Sequence, residues 1–309
     1  MPTKIKNIRS YLLVFFLMTF VYLSWTEMVR SNIDQLLTTS GTMKYNHLLV
    51  YHYAEGLKNP SIQDLQDWTN QTKQLADIFA TKIDEIANLL EETSRDPMVR
   101  NISYANMISK EFMGISESSD IEKRNVAEYL LGKDHNIGGI YFTLPNGDVY
   151  LGEPYSAQEQ LHRINFAHRD WYYGVSKTNE TYVSSVFISA STRATATAIA
   201  VPVYQDDTKN KLVGYWVGII NIEPLWKSIK ANYLPADKGL NIIDHEGNEI
   251  INSGKYNYTD IQSAPSFLKY GNATKDRDTG TIRILGDDTV AISYPIHLNS
   301  HVWTVTTLH

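Results

Sequence analysis

The sequence predicts an α+β protein in which a long helix packs along two tandem modules, each with a central antiparallel sheet. The first observation is an internal repeat. Residues 139–152 read GIYFTLPNGDVYLG and residues 239–253 read GLNIIDHEGNEIINS, so a strand, a glycine-ended turn and a second strand occur twice. Later strands repeat in the same order, with AIAVPVY from Ala198 matched by AISYPIHL from Ala291. Two recurring elements at a spacing of about 100 residues indicate a duplicated module.

A long amphipathic helix is the clearest single element. Apolar residues at helical spacing mark a stripe from Ile62 to Leu90, and Asp96-Pro97 disfavours continuation beyond about residue 94. At 1.5 Å per residue this helix spans roughly 48 Å, enough to run beside both modules. Polar Thr72 interrupts the stripe. We therefore favour packing against the protein's own sheets over a dimeric coiled coil.

Composition restricts the function classes. The 309 residues suffice for about two domains, and the net charge of -6 offers no basic footprint for nucleic acid, so nucleic acid is not an expected partner. The chain has no cysteine, which excludes a disulfide scaffold and a cysteine-based metal site.

The N-terminus carries a membrane signal. Lys4, Lys6 and Arg9 precede the uncharged run YLLVFFLMTFVYLSW, a pattern typical of a signal peptide or a signal anchor. We find no small-residue cleavage motif after it and favour an uncleaved, single-pass anchor over residues 10–27. The positive-inside rule then places residues 1–9 in the cytoplasm and the bulk of the chain outside the cell membrane.

The remaining chain divides into three predicted segments. Residues 28–97 form a helical stalk and the long helix, residues 98–232 the first module, and residues 233–309 the second. Short helices are expected around 107–112, 121–131 and 224–232. Strands are expected near 138–152 (a hairpin), 182–189, 193–204, 212–222, 239–244, 248–252, 279–285, 289–296 and 302–308.

The densest set of recognition residues is the segment FAHRDWYYGVS, residues 166–176. Arg169 supplies a planar fork of donors that suits a carboxylate, and Trp171 and Tyr172 supply rigid apolar walls with polar handles. The alternative is that both aromatic residues belong to the core and that Arg169 is a satisfied surface charge.

Catalytic and metal-binding motifs are not found. The sequence has no G-x-S-x-G elbow, no phosphate-binding loop and no HExxH, and His162 and His168 have no third ligand at a recognisable spacing. We therefore expect a binding protein and not an enzyme, with no metal and no cofactor.

The order of these elements resembles the extracytoplasmic double Cache domain of chemoreceptors and sensor kinases. The resemblance covers about residues 45–309, and its most specific parts are Arg169-x-Trp171-Tyr172 and Val201-Pro202-Val203 followed by Gly214 and Leu225. It implies two PAS-like modules along the long helix, with a small extracellular ligand in the membrane-distal module, residues 98–232. The ligand-binding residues implied are Arg169, Trp171, Tyr172, Phe187 and Ser189.

Two positions depart from the family pattern. Where family members that bind amino acids have Tyr-x-Asp, this chain has Phe187-Ile188-Ser189, and no acid stands near Gly218-Ile219-Ile220, where a later aspartate is expected. A ligand amine needs an anion or a dense set of acceptors. We therefore expect an anionic or neutral ligand in preference to an α-amino acid.

The resemblance predicts a membrane-anchored, extracytoplasmic sensor module in chemotaxis or signal transduction. The sequence shows no second membrane helix and no transmitter domain. Either it is a fragment of a longer receptor, or its state would pass to a separate signalling protein or through a homodimer. The alternative is a surface scaffold for protein–protein contact that binds no ligand. Such a scaffold would have its pocket plugged by its own side chains, for instance Phe187 and Ile219.

Overall fold

The structure is a computed structural model that describes residues 60–190, 193–235, 238–254, 256–264, 266–271, 279–285 and 289–309. The predicted cytoplasmic tail (1–9), the predicted anchor (10–27) and the stalk up to residue 59 lie outside the described residues. Within the described residues, no helix is both long enough and apolar enough to cross a membrane.

The strands of the described residues form two antiparallel sheets, which confirms the predicted α+β class. The first sheet has the order β2-β1-β6-β5-β3, with β4 also paired to β5, and the second has the order β8-β7-β12-β11-β10-β9. The strands are β1 (Ile137–Thr143), β2 (Val149–Glu153), β3 (Tyr182–Val183), β4 (Phe187–Ile188), β5 (Thr195–Tyr204), β6 (Leu212–Asn221), β7 (Gly239–Ile243), β8 (Glu249–Asn252), β9 (Ser266–Gly271), β10 (Thr279–Ile284), β11 (Val290–His297) and β12 (Val302–Leu308).

The helices lie before and between these strands. They are α1 (Ile62–Thr93), α2 (Pro97–Arg100), α3 (Ile121–Lys133), α4 (Tyr155–Glu159), α5 (Asp170–Thr178), α6 (Ile222–Tyr233) and α7 (Tyr258–Ser263). A short 3-10 turn covers Ala105–Met107.

The two sheets share one topology, as the internal repeat predicts. In each sheet a hairpin forms one edge: β1–β2 in the first sheet and β7–β8 in the second. The first strand of each hairpin pairs with the sheet's last strand, β6 or β12. That last strand pairs in turn with the preceding strand, β5 or β11. The hairpin turns also match: Gly147 N donates to Leu144 O at 2.8 Å and Gly247 N donates to Asp244 O at 3.1 Å. Both glycines have a φ near +87°, a conformation that favours glycine over other residues.

Helix α1 contacts both sheets. Toward its N-terminus, the Thr72 hydroxyl lies 2.5 Å from that of Thr307 on β12, and toward its C-terminus the Trp216 indole on β6 donates to the Thr93 hydroxyl at 3.1 Å. Thr72 is fully buried. The residue that interrupts the apolar stripe is therefore a buried point of attachment to the second sheet, and the predicted packing against both modules is confirmed.

Three local predictions differ from the structure. The segment 182–189 forms two separate two-residue strands, because Ser185 and Val186 between them bond to side chains instead of to β5. Strand β9 was not expected. The helix expected over 107–112 is replaced by an isolated bridge in which Ser109 and Gly114 exchange both backbone hydrogen bonds.

A buried lysine stands on α3 against the first sheet. Lys123 Nζ lies 3.6 Å from an Asp120 carboxylate oxygen and 4.1 and 4.3 Å from the ring centroids of Phe142 and Tyr150. The Tyr150 hydroxyl donates to the same carboxylate at 2.6 Å. Burial lowers the pKa of Lys123 to about 8, since desolvation outweighs the attraction of Asp120.

Substituting Lys123→Met is expected to remove a pH dependence of stability at alkaline pH. Because the folded-state pKa of Lys123 lies below the ordinary value of 10.5, the unfolded chain binds more protons between pH 8 and 10.5, and the free energy of unfolding rises with pH there. Urea titrations of the parent protein should show a rise of roughly 1–3 kcal/mol from pH 7.5 to pH 10. Lys133→Met, an exposed control on the same helix, should keep this rise. If the free energy of unfolding of Lys123→Met rises with pH as much as that of the parent protein, the rise does not come from Lys123.

Candidate ligand-binding site

Helix α5 covers one face of the first sheet. Trp171 and Val175, four residues apart on the same side of α5, are both buried against the core of that face. A Cβ added to Gly174 would stand 2.2 Å from the ring of Tyr182. Glycine at this position therefore lets the helix approach β3 closely enough for Trp171 to reach the sheet.

A small cleft opens between α5, the sheet and strand β4. Its volume is only about 30 Å³. Four of the five predicted site residues line this cleft together: Arg169, Trp171, Phe187 and Ser189. The full lining is Tyr141, Leu161, Phe166, Arg169, Trp171, Phe187, Ser189, Ala190, Val217 and Ile219.

Tyr172, the fifth predicted residue, is not part of the cleft lining. Its hydroxyl donates to the Pro145 carbonyl in the β1–β2 turn at 2.7 Å, and its ring packs edge-on against Tyr215 with 5.5 Å between centroids. Trp171 and Tyr172 are neighbours in a helix and leave it about 100° apart, so only one of them faces the cleft.

Arg169 is a half-buried cation between two phenyl rings. Its guanidinium carbon lies 5.2 Å from the ring centroid of Phe187 and 5.8 Å from that of Phe166. Among the described residues, the Arg169 side chain makes no salt bridge and no hydrogen bond. Burial and the nearby charge of Arg163 lower the pKa of Arg169. Within the part of the chain that the structure describes, this arrangement leaves a partly desolvated positive charge at the cleft without an anion to balance it.

Two carboxylates hold the wall of the cleft. Asp170 accepts a hydrogen bond from Ser185 N at 2.8 Å, and Asp244, in the β7–β8 turn of the second module, accepts one from Val186 N at 2.9 Å. Phe187 follows directly. The position of this cleft residue therefore depends on side chains from both modules.

The cleft is too small for an organic ligand as it stands. Its volume is about the volume that one molecule occupies in liquid water. Pockets that bind small molecules measure roughly 300–1,000 Å³. Phe187, on a two-residue strand, is only half-buried. Outward movement of Phe187 is the simplest way to enlarge the cleft.

Tyr141 and Val217 were not among the predicted site residues. They stand directly opposite each other on β1 and β6, with Ile219 two residues further along the same face. Alternation along β6 gives residues 215, 217 and 219 a common face. The pairing with Tyr141 depends on a register between strands about 75 residues apart, which neither segment encodes alone.

A second cleft, of about 720 Å³, lies at the C-terminal end of α1. Its walls are mainly polar, and some of their charged side chains already have partners. Arg100 bonds to Asp207 at 2.5 Å, and the Thr181 hydroxyl bonds to Glu91. We place the candidate site in the smaller cleft because there, among the described residues, a half-buried guanidinium without an anionic partner lies between the rings of Phe166 and Phe187.

No protein-family model and no curated protein sequence matches the chain. Solved structures do match. The ligand-binding domain of the Pseudomonas aeruginosa PAO1 chemoreceptor PctB with L-Arg is 15% identical, with a TM-score of 0.56 over 79% of this chain and 87% of that one. That of the Pseudomonas fluorescens chemoreceptor CtaA with L-isoleucine is 16% identical, with a TM-score of 0.54 over 80% and 92%. That of Campylobacter jejuni Tlp3 with 4-methylisoleucine is 15% identical, with a TM-score of 0.51 over 79% and 90%.

These likenesses establish the fold: the chain has the double Cache architecture. They also correct one expectation. We expected an anionic or neutral ligand in preference to an α-amino acid, and this expectation is wrong, because similar domains are solved with L-Arg and L-isoleucine bound. The missing carboxylates near Ser189 and Ile219 do not suffice to exclude an amino acid.

Substituting Gly174→Ala is expected to destabilise the protein and separate α5 from β3. The Tyr182 ring cannot easily retreat, because its hydroxyl donates to Asp170 at 3.2 Å. Overpacking of this kind costs about 1–3 kcal/mol, measurable by urea denaturation. Gly132→Ala on α3 is the matched control, since an added Cβ meets nothing within 4 Å. It should leave stability unchanged or raise it by up to about 1 kcal/mol. Equal effects of the two substitutions would contradict the packing.

Proposed function

We propose that this chain is the extracytoplasmic ligand-binding module of a sensor and that it binds a small α-amino acid in the cleft beside Arg169. The observation that carries the proposal is the half-buried Arg169 guanidinium, which has no anionic partner among the described residues. A ligand carboxylate would supply that partner. The double Cache fold and the amino acids bound by PctB and CtaA support the same ligand class.

The cleft offers a group for each part of an amino acid. The Arg169 fork can bind the carboxylate through two parallel hydrogen bonds. The faces of Phe187 and Trp171 can hold the ammonium by cation–π attraction, with the Ser189 hydroxyl as an acceptor. Ile219 and the other aliphatic lining residues favour an apolar side chain on the ligand.

Ligand binding requires the cleft to open. An amino acid cannot enter about 30 Å³, so the bound form has Phe187 displaced, and the free energy of displacement is subtracted from the affinity. Ser189 and Ile219, which are neutral, stand where the family pattern has two carboxylates. The ligand ammonium therefore gains less binding free energy here than a charged partner would give. We therefore expect moderate affinity, governed mainly by Arg169.

The setting of the module is part of the proposal. Residues 10–27 would anchor it, residues 1–9 would lie in the cytoplasm, and the segments 98–232 and 233–309 would be the membrane-distal and membrane-proximal modules. The protein would be no enzyme, and its proposed partners are a separate signalling protein or a second copy of the chain. The N-terminal basic and apolar pattern supports the anchor, and the absence of a catalytic motif in the sequence supports a binding role.

The alternative is a scaffold that binds no ligand. The small cleft, with Phe187 and Ile219 in its lining, is the plugged pocket that this alternative expects. Against it stands the cost of a partly desolvated cation that has no anionic partner in the described part of the chain, which a scaffold has no reason to keep. The two functions differ in one measurable respect, saturable binding that depends on Arg169.

Substituting Arg169→Ala is expected to weaken the binding of L-isoleucine to the full chain about 10- to 100-fold, because a charge-assisted hydrogen bond contributes roughly 1.5–3 kcal/mol. Isothermal titration calorimetry measures the loss. Arg163→Ala is the matched control, since Arg163 is exposed and nearby but outside the cleft lining. It should bind within about threefold of the parent protein.

Two results would contradict the proposal. Equal affinities of the parent protein and a folded Arg169→Ala variant would exclude the site. A panel of α-amino acids that gives no binding and no thermal stabilisation of the parent protein would exclude the ligand class and favour the scaffold.

A further inference from the structure

Two histidines stack where the second module meets the cleft wall. His245, in the β7–β8 turn, and His301, just before β12, lie with 3.5 Å between ring centroids and 7° between ring planes. The ring of Tyr182 on β3 packs edge-on against His301 at 4.8 Å. The pair therefore touches both modules.

The segment 184–187, here called the strap, connects this pair to the cleft. The Ser185 hydroxyl lies 3.2 Å from His245 Nε2, and the neighbouring Val186 N donates to Asp244 at 2.9 Å. On its other side, Ser185 N donates to Asp170, which follows Arg169 directly at the start of α5. The strap ends at Phe187, the residue that must move for the cleft to open.

The stacked geometry suits neutral rings. In the described part of the chain, His245 Nδ1 and His301 Nε2 are buried and have no hydrogen-bond partner. Protonation would give each ring a charged, buried N–H without an acceptor, and two cationic rings at 3.5 Å would repel. The stack is therefore stable only while at least one ring, and preferably both, is neutral.

Several ionisable groups face the pair. Burial is the largest effect on the pKa of His301 and lowers it, and the neighbouring His245 lowers it further. Three carboxylates act in the opposite direction: Asp170 of α5, and Asp244 and Glu246 of the β7–β8 turn. The net result is a lowered pKa of His301. Burial and Asp170 raise the pKa of Tyr182, which stays a neutral hydroxyl at physiological pH. The three carboxylates would attract a newly formed imidazolium away from the stack.

We propose that the His245–His301 pair makes ligand binding dependent on pH through the strap. Protonation on acidification separates the rings and loosens Ser185 and Val186. In the bound form the face of the displaced Phe187 ring holds the ligand ammonium, and a disordered strap no longer fixes that ring. Binding weakens because the ligand must then order the strap as well as displace Phe187. The sign follows from the lowered pKa of His301: the stack stabilises the fold above pH 6.5, and this contribution is lost as the pH falls through the folded-state pKa. This inference rests on the proposed function for its effect on affinity, but not for the opening of the strap.

The first test compares binding of L-isoleucine to the full chain at pH 7.5 and pH 5.5. We expect the affinity of the parent protein to fall about tenfold, within the usual range of coupling between sites. His301→Phe keeps a ring that stacks but cannot titrate, so it should bind like the parent at pH 7.5 and lose little at pH 5.5. His135→Phe, an exposed control, should behave as the parent does at both values.

This comparison isolates the contribution of the His245–His301 pair to the pH dependence of affinity. His168, beside Arg169, also has a lowered pKa, but it is present in all three proteins and its effect cancels. If His301→Phe does not fold, His245→Phe answers the same question, with the hydrogen bond to Ser185 lost at both pH values. A parent affinity that does not change with pH, or an equal fall in the histidine variant, would overturn the inference.

The second test needs no ligand. Hydrogen exchange of the Ser185 and Val186 amides, corrected for the intrinsic pH dependence, should be faster at pH 5.5 than at pH 7.5 in the parent protein. In His301→Phe the difference between the two pH values should be smaller. If no α-amino acid binds at either pH, the proposed ligand class fails, and the inference stands or falls on this exchange. Equal exchange in both proteins would overturn it.

Discussion

Burial of the apolar stripe of α1 is the constraint on which the rest of the structure depends. One helix contacts both sheets, through Thr72 and Thr307 at one end and through Thr93 and Trp216 at the other. At Gly218, an added Cβ would stand 2.9 Å from Leu90, so β6 approaches the helix closely. With one face of the first sheet occupied by α1, the opposite face remains for α5 and the cleft.

The candidate site combines a closed apolar cleft with an unbalanced charge. A protein interior normally pairs its cations or exposes them fully. In the described part of the chain, the Arg169 guanidinium between Phe166 and Phe187 has no anionic partner and is only half-exposed. Such a group is costly unless something binds to it. The rings that desolvate Arg169 also narrow the cleft. The free energy that a ligand gains by pairing with Arg169 would therefore have to exceed the free energy of displacing Phe187. The proposed selectivity for a small carboxylate-bearing molecule rests on this balance.

The sequence predicts more of the fold than of the site, for a physical reason. The repeat, the hairpin glycines and the apolar stripe are local patterns, and they suffice to predict α1, both hairpins and the β5–β6 pair. Arg169 and Trp171 stand out as residue types suited to recognition. The separation of Tyr172 from the cleft depends on which side of α5 faces the sheet, and the Tyr141–Val217 pair depends on long-range register. Likewise, buried Lys123 looks like an ordinary surface lysine until its neighbours are known.

The most direct test of the central claim follows Arg169 and Trp171 themselves. Nuclear magnetic resonance of the full chain can observe the Arg169 Nε–H and Trp171 Nε1–H signals while L-isoleucine is added. The account predicts that both signals shift saturably with one dissociation constant, together with the amides of Val186 and Phe187 in the cleft wall. Shifts confined to the polar cleft around Arg100, or no shifts at saturating concentration, would contradict it.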